Sequence, residues 1–218
     1  MKSLAVLFAG TVLAVAAQAG TVSFTDSIAN QTTNWTNNLT LSQFNGALGT
    51  LTSVQFLYSG NVVSVFRVES LDAAAATVSV NANGTLTFGS PVLQSLILAN
   101  SSSQIVSAFD GTIDFGGTSG FGPLTVSANG ANNVTLLAGL GSFIGAGTYN
   151  IGVTAAGSSN ATGAGNLIAQ INTNAGADIK VTYTFDAAVT QVPEPGSLAL
   201  VGLALAGLGF TARRRTAK

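Results

Sequence analysis

The residues best suited to chemistry are two carboxylates, Asp110 and Asp114, in the segment Asp110-Gly111-Thr112-Ile113-Asp114. On a strand they would share one face, and together with carbonyl oxygens they could bind a hard cation such as Ca²⁺. Their spacing differs from the calcium-loop pattern Dx[DN]x[DN]G, so exposed turn carboxylates are the favoured interpretation. Paired carboxylates can also hydrolyse glycosides, but acidic residues are too sparse here to single out a pair. We predict no cofactor and no metal site.

Other catalytic groups are scarce, because the chain has no histidine and no cysteine. Their absence excludes disulfides, thiolate chemistry, His or Cys metal sites and every triad with an imidazole base. Lys180 could in principle activate a serine, but it alternates with apolar neighbours, which favours a solvated strand face over a Ser–Lys dyad. We therefore expect a protein that is not an enzyme.

Trp35 is the single tryptophan and lies in the polar run Asn30–Thr40. An exposed indole among Asn and Thr could stack on a sugar ring, as could an exposed tyrosine. The protein would then be a carbohydrate-binding module or an adhesin. A half-buried position at the rim of a core is the alternative interpretation, and the more common one for tryptophan.

The amino-terminal segment Met1–Ala19 has the three regions of a secretory signal peptide. Lys2 supplies the positive charge, Leu4–Ala17 is apolar or small throughout, and Ala17-Gln18-Ala19 gives the small-x-small cleavage signal. Cleavage would leave Gly20 as the first residue of the mature protein. The secretion translocon and signal peptidase are then the first partners, and the protein is exported.

The carboxyl-terminal segment 193–218 combines three features. Pro193-Glu194-Pro195 is held extended by its two prolines. Gly196–Phe210 carries no charge and as a helix spans about 22 Å, which thinning and snorkelling can match to a bilayer core of ~30 Å. The tail 211–218 contains Arg213, Arg214 and Arg215, which keep it cytoplasmic. These features predict a short transmembrane helix that presents an extended peptide outside the membrane.

The segment contains the Pro-Glu-Pro tripeptide, the apolar helix and the arginine cluster in this order. The arrangement resembles the PEP-CTERM sorting signal of Gram-negative bacteria. The resemblance implies that an exosortase, a membrane-embedded cysteine protease, cuts near Pro193-Glu194-Pro195. It also implies transient anchoring in the inner membrane, followed by delivery to the cell surface or extracellular matrix. Such proteins are associated with exopolysaccharide and biofilm formation.

Between these ends lies the predicted exported domain, residues 20–192. Its basic residues are Arg67 and Lys180 and its acidic residues number seven, so its net charge is −5. Charged residues make up only 7% of the whole chain, and the pI is about 5.0. This balance excludes a basic nucleic-acid binder, so no nucleic-acid partner is expected.

Alternation of polar and apolar residues dominates this domain and predicts strands. Tight turns are expected at Ser59-Gly60-Asn61 and at Asn81-Ala82-Asn83-Gly84. The Asn-Gly step of the second segment favours a hairpin. About ten short strands then form a single antiparallel β-sandwich or jelly roll. The alternation places six apolar side chains on the core faces of two strands: Val54, Phe56, Tyr58, Val181, Tyr183 and Phe185.

Three further segments, Phe44–Val54, Gly163–Leu167 and Thr173–Phe185, resemble the choice-of-anchor E domain of bacterial surface proteins. The resemblance implies an all-β exported domain and brings no catalytic residues. The sequence therefore favours a non-enzymatic exported surface or matrix protein of a Gram-negative bacterium. Carbohydrate binding is the alternative, and a glycosidase using paired Asp is a more distant one.

Overall fold

The computed structural model describes residues 18–188 and 202–206. The predicted signal-peptide residues 1–17, the Pro-Glu-Pro peptide 193–195, most of the apolar segment 196–210 and the basic tail 211–218 lie outside these ranges. Residues 202–206 are helical. Within the described ranges, no helix has the length and apolar character needed to cross a membrane.

Residues Gln18–Ala187 form one compact unit. Its strands are β1 (Ala19–Thr32), β2 (Trp35–Ser42), β3 (Gly49–Ser70), β4 (Ala76–Phe88), β5 (Gln94–Val106), β6 (Gly120–Leu136), β7 (Thr148–Gly157), β8 (Asn160–Thr162) and β9 (Leu167–Ala187). Short 3₁₀ helices lie at Gly46–Leu48 and Leu140–Phe143.

The strands form two sheets with antiparallel pairing. The first has the order β1-β9-β3-β6, and the second has the order β2-β7-β4-β5 with β8 paired to β4. Side chains from both sheets share an apolar interior, so the prediction of an all-β sandwich is confirmed. The six side chains assigned to the core faces of β3 and β9 are buried, with Phe185 the most exposed at 9%. Alternation identified these faces correctly because a strand repeats every two residues.

The two predicted hairpin turns are wrong. Strands β3 and β4 run without interruption through residues 59–61 and 81–84. Gly60 lies opposite Gly130 of β6 and Ala177 of β9. A Cβ on Gly60 would overlap Leu86 of the other sheet and lie 2.8 Å from the carbonyl oxygen of Gly176. Glycine is therefore needed here for close packing inside a strand, and nine mostly longer strands replace the ten short ones.

A buried group of hydroxyls interrupts the apolar interior. The Ser64 hydroxyl lies 2.8 Å from the hydroxyl of Ser159 and 3.0 Å from that of Thr173. Along β3, Val62 belongs to the larger apolar cluster and Phe66 to the smaller one. Ser64 is the inward-facing residue between Val62 and Phe66. The two apolar clusters are therefore separated by hydroxyls that hydrogen-bond to each other.

Candidate functional site

The predicted signal-cleavage site lies at the beginning of β1. Ala19 is opposite Asp186 and Gly20 is opposite Phe185, while Ala17 lies outside the described residues. Removal of residues 1–19 would therefore cost β1 only its first residue pair. The backbone N–H of Ala187 donates to the carbonyl oxygen of Gln18. The β domain thus begins and ends at the same end of the β1–β9 pair, and cleavage at this site stays a prediction.

The loop between β5 and β6 holds Asp110 and Asp114, which therefore do not share a strand face. The Asp110 carboxylate accepts the backbone N–H groups of Thr112 at 3.1 Å and Thr118 at 3.3 Å. The Asp114 carboxylate accepts the N–H of Gly116 at 2.8 Å. Both groups act as turn-forming acceptors. In the described residues, no three acidic, histidine or cysteine side chains come together in a way that could hold a metal ion.

The Asp110 carboxylate should make the stability of the β5–β6 loop depend on pH, with less stability in acid. The N–H groups of Thr112 and Thr118 hold the pKa of the Asp110 carboxyl below its ordinary value. A carboxyl whose pKa is lower in the folded than in the unfolded protein stabilises the fold at pH values above the unfolded-state pKa. That stabilisation is lost as the pH falls through the folded-state pKa. We expect Asp110→Asn to reduce the loss of stability below about pH 4, measured by urea unfolding from neutral pH downwards. An unchanged acid dependence in Asp110→Asn would contradict this role.

Sequence patterns missed Glu69, which is fully buried. One carboxylate oxygen accepts the hydroxyl of Ser119 at 2.6 Å and the other accepts the backbone N–H of Phe115 at 2.8 Å. Gly120 packs so closely against this carboxylate that a Cβ there would overlap it. Glu69 thus fastens the β5–β6 loop to strand β3. Its outward register on β3 gave no sign of burial, because the covering loop comes from a distant part of the chain.

Two further carboxylates also bind backbone N–H groups. Asp72 accepts from Gly165 at 2.6 Å and from Asn166 at 2.9 Å, which fixes the turn before β9. Asp26 of β1 accepts the N–H of Thr40 in β2 at 2.7 Å and so links edge strands of the two sheets. These acidic side chains hold loops and edges together.

Lys180 lies on the outer face of the first sheet, as the solvated-face interpretation predicts. Its register partners are Thr25 on β1 and Leu57 on β3. With Asp178 these residues line an open depression of about 380 Å³. The depression is also lined by Asp26 and by the hydroxyls of Ser27 and Ser59, on an open surface instead of in a cleft.

The aromatic residues considered for sugar stacking pack inward. Trp35 is partly buried against the larger apolar cluster, and its indole N–H donates to the Ala175 carbonyl oxygen at 3.2 Å. Tyr58 and Tyr183 are fully buried. The Tyr183 hydroxyl donates to the Ser42 carbonyl oxygen at 2.8 Å and lies 3.1 Å from the Tyr149 hydroxyl. Burial raises the pKa of all three phenols.

The outer faces of both sheets carry rows of uncharged polar side chains. One row crosses all four strands of the first sheet through Ser23, Thr182, Gln55 and Thr135. The hydroxyls of the first two lie 2.9 Å apart. A second row crosses β2, β7, β4 and β5 through Thr36, Thr154, Thr87 and Ser95. These surfaces offer hydroxyl and amide groups with few charges.

The chain is weakly similar to solved viral structures. Structures of infectious bursal disease virus give weak matches: the Gx strain (9% identity, TM-score 0.15) and the VP2 subviral particle (9% identity, TM-score 0.18) each align with 79% of this chain and 37% of the viral chain. The chain thus spans less than half the length of these viral chains. No curated protein sequence matches this chain.

A family match covers residues 191–215, which include the Pro-Glu-Pro peptide and the arginine cluster. The resemblance of Phe44–Val54, Gly163–Leu167 and Thr173–Phe185 to choice-of-anchor E stays a prediction, since the match lies outside these segments. The recognition of the sorting segment is confirmed: residues 191–215 of this chain are a PEP-CTERM protein-sorting motif.

Proposed function

We propose that this protein is a non-enzymatic component of the cell surface or extracellular matrix, delivered there by exosortase and associated with exopolysaccharide. The PEP-CTERM motif implies exosortase-dependent export with transient anchoring in the membrane. The part proposed beyond this is the role of the β domain. The observation that carries it is the pair of uncharged hydroxyl and amide rows on the outer faces of the sheets.

Neutral polysaccharides present hydroxyls and few charges, so a surface of the same character can exchange hydrogen bonds with them without burying an unpaired ion. Lys180 and Asp178 are adjacent outward residues on β9 and carry opposite charges. Contacts of this kind are individually weak, which suits a protein retained within a gel by many contacts. Tight binding at a single stacking site has less support, because Trp35 and the tyrosines pack inward.

The absence of enzymatic activity is part of the proposal. Glu69, Asp72 and Asp110 have carboxylate oxygens that already accept backbone or hydroxyl hydrogen bonds. A general acid or base needs an oxygen directed at a substrate. These contacts favour a structural role for these three acidic residues.

The position of the chain ends suits a protein that is held at a membrane and then released. Signal peptide and sorting motif both join the β domain where β1 begins and β9 ends. Cleavage at both segments would leave β9 whole and remove only Ala19 from β1.

The test is processing of Glu194→Ala in the native host. Glu194 is the only charged residue between Asp186 and Arg213, so it is the strongest candidate for a specificity contact with the protease. We expect full-length protein to accumulate in the inner membrane and the surface or matrix form to fall at least tenfold. Loss of the host exosortase should have the same effect, and fractionation with mass spectrometry of both termini measures it.

The matched control is Asp186→Ala, which removes the preceding acidic charge and leaves the motif intact. It should be processed like the wild type. Mature surface protein that still carries Arg213–Lys218 would show that the segment is a permanent anchor. Normal processing together with absence from the exopolysaccharide fraction would leave sorting intact and overturn the matrix role.

A further inference from the structure

Within residues 18–188, strand β5 is an unprotected edge of the second sheet. It pairs with β4 on one side and ends the strand order on the other. It is 13 residues long and contains no charged residue and no proline. Edge strands usually contain charged residues, a proline or a bulge, which prevent pairing with other chains.

The other edges differ from β5. Strand β1 has an irregular register between Ile28 and Gln31, and strand β6 contains Pro123. Strand β2 is short, and its Thr40 N–H is occupied by Asp26. The centre of β5, residues 99–105, is exposed on both faces apart from a partly buried Ser102. On the side away from β4, the backbone groups of β5 have no partner strand among the described residues.

Two isoleucines stand out on the outer face of β5. Ile97 is 82% exposed and Ile105 is 81% exposed, although β-branched apolar side chains are normally covered in a sheet. They lie four residues on either side of Ser101, so the exposed apolar pattern is symmetric about that serine. Leu96 and Val106, which are buried, flank them with the same symmetry.

We propose that β5 pairs with β5 of a second copy of this chain, antiparallel and centred on Ser101. A two-fold axis through Ser101 places Ile97 of each copy directly opposite Ile105 of the other and Ala99 opposite Ser103. Opposed side chains in such a pair have Cβ atoms about 4.5–5.5 Å apart, so each exposed isoleucine is covered by its counterpart. The second sheet becomes continuous across the two copies.

A second copy fits this edge better than a charged partner. Neither side contributes a charge, so no ion is desolvated and no like charges meet. Pairing over Leu96–Val106 forms roughly ten backbone hydrogen bonds, about the number in a typical protein–protein interface. A two-fold interface uses the same patch on both copies and closes after two. The outer polar rows and the sorting motif take no part, so this inference is independent of the proposed function.

The experiment uses the absence of cysteine in the chain. In the full-length protein expressed in its host, Ser101→Cys places two thiols opposite each other across the axis, at a distance that a disulfide can span. We expect a disulfide-linked dimer on non-reducing gels after mild oxidation with copper-phenanthroline. The control is Thr36→Cys, at an exposed position on the opposite edge strand β2. It should give at least tenfold less disulfide-linked dimer.

Charge substitutions at the isoleucines test the register. The first double variant, in the Ser101→Cys background, is Ile97→Lys with Ile105→Lys. It places a lysine of one copy opposite a lysine of the other at two positions of the strand pair, and should reduce cross-linking at least tenfold. Ile97→Glu with Ile105→Lys pairs opposite charges in the same register and should retain it. Leu137→Lys removes an apolar side chain that is 75% exposed outside β5 and should have no effect. Equal cross-linking in Thr36→Cys and Ser101→Cys, or in both double variants, would overturn the proposal.

Discussion

Replacing Gly60 with alanine should destabilise the β domain by about 1–3 kcal/mol, and with valine by more. Gly60 lies in the middle of β3, where a Cβ would overlap Leu86 and approach the Gly176 carbonyl oxygen to 2.8 Å. Leu86 is 1% exposed, so it cannot swing out into solvent without leaving the core. The Gly176 oxygen belongs to the backbone of β9 and can move only with the sheet. Urea unfolding of the wild type and variants measures the change.

Two comparisons isolate steric overlap as the cause. Gly141 lies in an exposed 3₁₀ turn with nothing within 4 Å of its Cβ position, so Gly141→Ala should be neutral or slightly stabilising. Leu86→Ala opens space beside Gly60 at its own cost. Combined with Gly60→Ala it should destabilise by less than the sum of the single changes. Strict additivity would show that the two side chains do not compete for the same volume.

Gly60 also explains why the turn predicted at residues 59–61 is wrong. The alternation of Val54, Phe56 and Tyr58 identified a buried strand face, because the strand period is unaffected by what lies opposite. The following Ser-Gly-Asn predicts a turn, since these residues are common in turns. In the folded protein Gly60 and Asn61 face Gly130 and Asn129 of β6. Local composition does not distinguish a glycine needed for a turn from one needed for close strand packing.

The roles of the acidic residues were equally hidden. Asp110 and Asp114 were correctly interpreted as turn carboxylates, because an Asx turn is local and follows from the residues themselves. The contacts of Glu69 and Asp72 join residues far apart in the chain. Their partners are backbone N–H groups and one serine, which have no sequence signature. The sorting motif was recognisable for the opposite reason, since its parts are contiguous.

Glu69→Ala should lower the free energy of unfolding by about 2–4 kcal/mol, because it leaves one buried and one partly buried donor without an acceptor. These are the Ser119 hydroxyl and the Phe115 N–H, now held at 2.6 and 2.8 Å. Glu69→Gln retains an acceptor oxygen and should cost less. Asp178→Ala, at an exposed carboxylate on the outer sheet face, is the control and should stay within about 0.5 kcal/mol of the wild type.

The effect of Glu69→Ala should also be localised. The β5–β6 loop contains Phe109 and Phe115, and loss of the carboxylate that fastens it should expose both to cleavage by chymotrypsin. In the wild type the loop should resist cleavage, because Phe115 and Ser119 are tied to Glu69 and Ser119 also accepts the Asp110 N–H at 3.3 Å. Limited proteolysis with mass spectrometry locates the cuts. A destabilised Glu69→Ala domain cut elsewhere first would mean that Glu69 stabilises β3 itself and not the loop.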